Sequence, residues 1–194
     1  MAPHEHTSTF DEAKFRQVLG HFPTGVVIVT AVASDGEPAG LAIGSFTSVS
    51  LDPPLVAFFP GKSSSSWPRV ESAGSFCVNI LGEGQEDVCR IFASKGADKF
   101  ASIGWRPGRT GAPVINDVIA WIECEIERVD DAGDHLIVLG RVIDLEVGHP
   151  GGPLVFFRGG YGRYEVGPDR QELPQFLANS RPNGLSLGYC RHRE

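Results

Sequence analysis

Between two apolar runs lies Gly44-Ser45-Phe46-Thr47-Ser48-Val49-Ser50-Leu51-Asp52-Pro53-Pro54, with four hydroxyl side chains in the six residues from Ser45 to Ser50. Buried strands fill such positions with Val, Ile or Phe, so hydroxyls at this density suit a polar ligand lying along a strand. An exposed sheet face would tolerate the same residues. A second cluster, Lys62-Ser63-Ser64-Ser65-Ser66, offers hydroxyls, backbone N–H groups and one fixed positive charge before an expected helix start. That combination favours an anion such as a phosphate, although a solvated serine loop has the same composition. Gly133-Asp134-His135 sits at a hairpin turn, where a histidine could hold a carboxamide or a pyrophosphate, or simply close the turn. Arg158-Gly159-Gly160-Tyr161 suits close approach of a planar ligand or an ordinary strand end. Phe92 and Asp98-Lys99-Phe100 could line a pocket or pack in the core.

These groups need elements to position them. Thr9-Phe10-Asp11-Glu12 reads as a capping box, followed by Phe15, Val18, Leu19 and Phe22 at the spacing of one helical face that ends near Gly20. Val26 to Val32 reads as a strand, Asp35-Gly36 as a hairpin turn, and Leu41 to Leu51 as one long returning strand, so the hydroxyl cluster is expected at the far end of a hairpin. Leu55 to Phe59 and Phe76 to Leu81 are further strands, and a short helix is expected after the serine loop. Gln85 to Ala93 reads as a helix with Val88, Ile91 and Phe92 on one side, and residues 94–118 read as irregular. Ile122, Cys124 and Ile126 alternate with Glu123, Glu125 and Glu127, the pattern of a half-exposed strand with the glutamates outward. Leu136 to Val147 returns, and Pro153 to Phe157 is a last short strand.

Six or seven strands, mostly joined by hairpins, with two or three inserted helices, predict a mainly β, antiparallel Greek-key barrel rather than a βαβ sheet. One domain over 10–166 is expected, with an extended N-terminal segment 1–9 and a C-terminal extension 167–194 in which Leu173, Phe176 and Leu177 could dock. The serine loop follows the strand beside the hydroxyl stretch, so a flat ring against that stretch and a phosphate at the loop would together describe a flavin mononucleotide.

Composition narrows the classes. The 194 residues carry a formal charge of −7 and no dense Lys/Arg block, which argues against a nucleic-acid partner. No run approaches the roughly eighteen apolar residues that span a bilayer, and the N-terminus lacks a basic segment followed by an apolar one, so a cytoplasmic protein without a membrane partner is expected. Cys77, Cys89, Cys124 and Cys190 are scattered, with no metal-binding spacing and no disulfide framework, and three of the four read as buried thiols. No Ser-His-Asp arrangement, HExxH helix, Walker A loop or Rossmann glycine fingerprint is present.

Over residues 12–164 the sequence resembles the flavin reductase-like proteins of the FMN-binding split-barrel fold, the small reductase components of two-component flavin monooxygenases. The carrying motifs are Phe22-Pro23-Thr24-Gly25-Val26 with Val29-Thr30, Ser45 through Leu55, Phe76-Cys77-Val78-Asn79-Ile80-Leu81, Asp98-Lys99-Phe100, Gly133-Asp134-His135 and Arg158-Gly159-Gly160-Tyr161. The resemblance implies a homodimer in which FMN or FAD lies near the interface and NADH or NADPH delivers hydride over the flavin. It implies that Ser45, Phe46, Thr47, Ser48, Val49 and Ser50 contact the flavin. Lys62, Ser63 and Ser66 would lie near its phosphate, with Lys99 assisting, and His135 and Tyr161 would hold the nicotinamide. It further implies an oxygenase partner that receives the reduced flavin. Many relatives carry Asn directly before the Ser-Phe pair, where this chain has Gly44. Two other readings stay open: a split-barrel oxidoreductase that retains its flavin and acts on another small molecule, and a flavin-binding protein without turnover.

Overall fold

The computed structural model describes residues 11–95 and 98–165. The segment 1–9, Cys190 and the extension 167–194 with Leu173, Phe176 and Leu177 fall outside them.

Helix α1 spans Glu12–Leu19, and its cap is Asp11, whose carboxylate accepts the Ala13 N–H at 2.9 Å. The cap therefore falls inside the expected capping box rather than at Thr9, which lies outside the described residues. Glu12 in the first turn and Arg16 in the last match the helix dipole. The apolar spacing is as expected, yet Phe15, Val18, Leu19 and Phe22 are each more than half exposed. Among the described residues nothing covers this face.

The strands β1 (Thr24–Gly25), β2 (Val27–Val32) and β3 (Pro38–Ile43) follow. Strands β2 and β3 form the expected hairpin, with Gly36 at φ +84° in its turn, a conformation glycine adopts without strain. The expected long strand Leu41 to Leu51 is two strands. It breaks at Gly44-Ser45-Phe46, and β4 (Thr47–Leu51) pairs with β5 (Pro54–Phe58), not with β2.

The elements that follow are α2 (Trp67–Glu71), β6 (Ser75–Ile80), α3 (Glu86–Ala93), β7 (Trp105–Pro107) and β8 (Pro113–Ile115). They lead into β9 (Ala120–Ala132), β10 (His135–Val147), β11 (Leu154–Phe157) and β12 (Gly160–Arg163). The main sheet has seven strands in the order β3-β2-β6-β9-β10-β5-β4, with every pairing antiparallel. The break after β3 carries the chain from one edge of this sheet to the other. Neighbours β2–β6, β6–β9 and β10–β5 are distant in sequence, so the sheet is not a simple meander.

The inner face of the sheet wraps one core. Val27, Val29 and Ala31 of β2 meet Phe58 of β5, Phe76 and Val78 of β6, Cys124 of β9 and Val138 of β10, with Trp67 and Val70 of α2 closing one end. The alternate residues Val26 and Ile28 are also buried, against Cys89 and Phe92 of α3 and Ile115 and Val118. Burial on both faces explains why this strand reads as an unbroken apolar run.

Two expectations fail on the outer face for one reason. Residues 94–118 are not wholly irregular: β7 and β8 form a small hairpin laid over β6 and β9. Glu123, expected outward in solvent, lies beneath it with no exposed surface. Its carboxylate accepts the N–H groups of Arg109 at 2.7 Å and Thr110 at 2.8 Å, and also the Thr110 hydroxyl. Asn79 ties the same hairpin down, its Oδ1 accepting the Ile115 N–H at 2.8 Å while its amide donates to Thr30 Oγ1 at 3.0 Å. Thr30 Oγ1 in turn donates to the Pro113 carbonyl. The polar residues of the motifs around Val29-Thr30 and Asn79 thus anchor an outer hairpin.

Candidate functional site

Where β3 ends and β10 begins, the chain forms an open cavity of about 830 Å³, within the range of ligand pockets. Its lining has an apolar part, from Leu41, Ala42, Ile43, Phe59 and Ile137, and a polar part, from Ser63 to Ser66, Lys95, Lys99 and His135. A ligand with a flat apolar body and an anionic end matches that division.

Local structure fixes each polar group. Ser45, just past the break after β3, is tied to the end of β5: its hydroxyl accepts the Phe59 N–H at 3.0 Å. Gly44 beside it is crowded, because a Cβ there would come 3.1 Å from Thr24 Oγ1. The missing asparagine side chain thus has little room unless Thr24 shifts. In the serine loop, Ser64 Oγ accepts the Trp67 N–H at 3.2 Å at the start of α2. Pro60 to Lys62 pair with the His135 hairpin, since Lys62 N–H donates to the Asp134 carbonyl at 2.9 Å and Leu136 N–H to the Pro60 carbonyl at 3.0 Å. Serine loop and histidine turn therefore share one backbone ladder.

Lys99 reaches the rim from the segment after α3. Its ammonium donates to the Phe92 carbonyl at 2.8 Å, Ser66 Oγ at 3.1 Å and the Gly40 carbonyl at 3.4 Å. All three acceptors are neutral, and burial pulls its pKa below the ordinary lysine value. Among the described residues this half-buried cation meets only neutral oxygens, and because its three donors are occupied an anion at the rim would take the place of one of them.

His135 opens β10 after a two-residue turn in which Gly133 has φ +66°. Its Nδ1 lies 2.8 Å from Asp134 Oδ1, and this hydrogen bond holds the Asp134 carboxyl below the usual carboxylate range. A carboxylate only accepts, so Nδ1 carries the proton, and in the neutral ring Nε2 is left as an acceptor. Nε2 lies toward Gly61: a Cβ on that residue would meet it at 3.8 Å, and the Ser63 hydroxyl at 3.9 Å.

The structure thus brings Ser45, Ser63, Ser66, Lys99 and His135 to one cavity. Other expected groups lie elsewhere. Phe46 packs against the barrel core, and Thr47, Ser48, Val49 and Ser50 run along edge strand β4 without lining the cavity. The Lys62 ammonium pairs with the exposed Asp131 at 2.7 Å and does not line the cavity. Tyr161 sits on β12, its hydroxyl 3.1 Å from Cys89 Sγ and its ring under the Arg90 guanidinium. That hydrogen bond, with burial, pushes the phenol up to about 12. Tyr161 does not join His135 at the cavity. Sequence reasoning missed the apolar wall, for which Ile137 in an apolar strand gave no signal beyond core packing. Among the described residues no group of three His, Cys, Asp or Glu could hold a metal.

The sequence matches the family described as flavin reductase like domain over residues 19–165. It is 53% identical over 157 residues to a flavin reductase of Pseudomonas putida, covering 81% of this chain and 92% of that protein. It is 44% identical over 175 residues to the reductase subunit HsaB of a flavin-dependent monooxygenase of Rhodococcus jostii, covering 88% and 89%. The Streptomyces globisporus NADH:FAD oxidoreductase SgcE6, solved in complex with NAD and FAD fragments, superposes with a TM-score of 0.76 at 39% identity, covering 83% of this chain and 96% of that one.

Proposed function

The chain belongs to the flavin reductase-like family, and from that membership we propose that it transfers hydride from NADH or NADPH to FMN or FAD and supplies the reduced flavin to a partner monooxygenase. The carrying observation is the single cavity that joins an apolar wall, the Ser63–Ser66 and Lys99 rim, and the His135 acceptor.

The donor set fits a flavin. Lys99, Ser63 and Ser66 would hold its phosphate, and Leu41 to Ile43 with Ile137 would keep water from its ring. The bound flavin supplies the two-electron chemistry itself. The Ser45 hydroxyl would lie beside the ring and stabilise negative charge there once a bound flavin covers the cleft. His135 Nε2 accepts from the carboxamide of the nicotinamide and so orients the hydride donor. Release of the product to an oxygenase calls for moderate affinity, which neutral hydroxyls with the two lysines Lys95 and Lys99 suit. The thiols of Cys77, Cys89 and Cys124 are free and buried, in keeping with a cytoplasmic setting, and no helix among the described residues is long and apolar enough to cross a membrane.

With excess free FMN or FAD, the purified protein is expected to oxidise NADH or NADPH at a rate set by the flavin, followed by loss of the reduced-nicotinamide absorbance. Absence of flavin-dependent turnover with both nucleotides overturns the reading.

The functional unit is a homodimer. Its support is the uncovered face of α1, with Phe15, Val18, Leu19 and Phe22 exposed beside Phe156 and Phe157 of β11. Clustered apolar side chains of this kind mark an interface. Arg158 N–H donates to the Gly20 carbonyl at 3.0 Å, joining the two elements into one patch. Sedimentation of the wild type should give twice the chain mass, and Val18→Glu with Phe22→Glu should shift it toward the monomer. A monomeric wild type excludes the dimer.

A further inference from the structure

The Asp134 side chain has a single use in the structure. Its carboxylate is exposed and, among the described residues, bonds no side chain but His135, with Oδ1 lying 2.8 Å from Nδ1. The turn does not depend on it, because the main-chain carbonyl of Asp134, not the side chain, takes the Lys62 N–H at 2.9 Å. At the other end of the ring Nε2 bonds nothing among the described residues, and His135 lines the cavity. We propose that Asp134 is a positioning residue that sets specificity for the hydride donor: by holding the proton of His135 on Nδ1 it presents a lone pair at Nε2 and selects a pyridine ring whose substituent carries an N–H. The inference rests on the reading that His135 faces the nicotinamide and deepens it to which ring substituents are accepted.

An ionised carboxylate has no proton to give, so its bond to the ring exists only while Nδ1 is the donor. The same bond holds the Asp134 carboxyl below the usual carboxylate range and so keeps it in that form. In the neutral imidazole Nε2 then accepts and cannot donate. A carboxamide answers it with its NH₂. A methyl ketone in the same place offers only an acceptor, as does a carboxylate, and each would set lone pair against lone pair. Gly61 leaves that end of the ring open, since a Cβ there would come within 3.8 Å of Nε2. Without Asp134 either nitrogen can carry the proton. An amide can meet both forms by presenting its oxygen or its nitrogen, whereas a ketone gains a donor that it lacked. Removal of the carboxylate therefore relaxes the selection and leaves the binding of NADH largely in place.

The test is the KM, with FMN as acceptor, for NADH and for reduced 3-acetylpyridine adenine dinucleotide, in which a methyl ketone replaces the carboxamide. Comparing the ratio of the two between variants cancels their difference in donor strength. In the wild type the ketone donor should have a KM about fivefold above that of NADH, the loss of one hydrogen bond. Asp134→Asn, whose amide can meet Nδ1 as acceptor or as donor, should bring the two within about twofold of each other, mainly by lowering the KM of the ketone. Asp134→Ala, which leaves Nδ1 to water, should do the same. The proposal is overturned by a wild-type ratio near one, or by a ratio that neither substitution moves. It is equally overturned if both KM values rise alike in the variants, which makes Asp134 a structural part of the turn. His135→Ala tests the reading beneath: if it leaves both KM values as in the wild type, His135 does not face the nicotinamide, and that reading falls together with the proposal.

Discussion

Replacing His135 with alanine is expected to raise the KM for NADH or NADPH roughly tenfold, the loss of one hydrogen bond to the substrate, while FMN and FAD dissociation constants stay within twofold. The expectation follows from the division of the cavity. Ser63, Ser66 and Lys99, the groups proposed to hold the phosphate, lie on loop segments that the mutation leaves intact, whereas the acceptor Nε2 disappears. His135→Gln should recover part of the loss, because an amide oxygen can accept from the same donor. A structural histidine would behave otherwise. Its removal would loosen the ladder from Pro60 to Lys62, and flavin affinity would fall together with nicotinamide affinity. Paired KM and flavin-binding measurements on the two variants separate these outcomes.

The larger effect on stability is expected at Glu123. Glu123→Ala leaves the Arg109 N–H, the Thr110 N–H and the Thr110 hydroxyl facing a fully buried carboxylate site without an acceptor. Each unsatisfied buried donor costs on the order of 1–3 kcal/mol, so a total loss of about 3–5 kcal/mol is expected. Glu123→Gln should be nearly as harmful, because its NH₂ would turn a donor toward one of these donors. Thr110→Val, which removes the hydroxyl and keeps both N–H bonds, should cost only about 1 kcal/mol. Chemical denaturation of the three variants tests the ranking. If Glu123→Ala matches Thr110→Val, the carboxylate does not anchor the β7–β8 hairpin. The carboxylate also acts on its neighbours: burial, with Glu123 adding repulsion, pushes the Cys124 thiol up to about 12, and burial and Glu123 raise Cys77 as well. Neither thiol is a nucleophile at neutral pH.

Glu123 also marks where the sequence stops being readable. Alternation correctly located strand β9 and put Cys124 inside, but period two assigns the other face to solvent unless something covers it. What covers it is a hairpin of two three-residue strands, too short to show any period, held by Asn79 and Thr30 from strands distant in sequence. The break at Gly44-Ser45-Phe46 was hidden for a related reason. Residues 41–51 are compatible with one extended run, and only the need to carry the chain between the edges of a closed core divides them. By contrast, the Gly133-Asp134 turn was legible, since two residues between apolar runs leave few geometries, and His135 follows at the head of β10. The serine loop could be proposed as an anion site from its own composition, whereas Lys99 was tied to it only through the family resemblance, because the contact with Ser66 joins segments distant in sequence. Tyr161 could not be placed, as nothing in its own segment records that Cys89 claims its hydroxyl.

The backbone ladder between Pro60–Lys62 and Asp134–Leu136 constrains how this protein can vary. Because each turn is half of the other's pairing, neither can gain or lose a residue without displacing the other, and a loop transplanted alone would arrive out of register. Diversification of cofactor preference here must therefore proceed by exchanging side chains on a frame of fixed length. Deletions and insertions will be tolerated at other surface turns long before they are tolerated at these two.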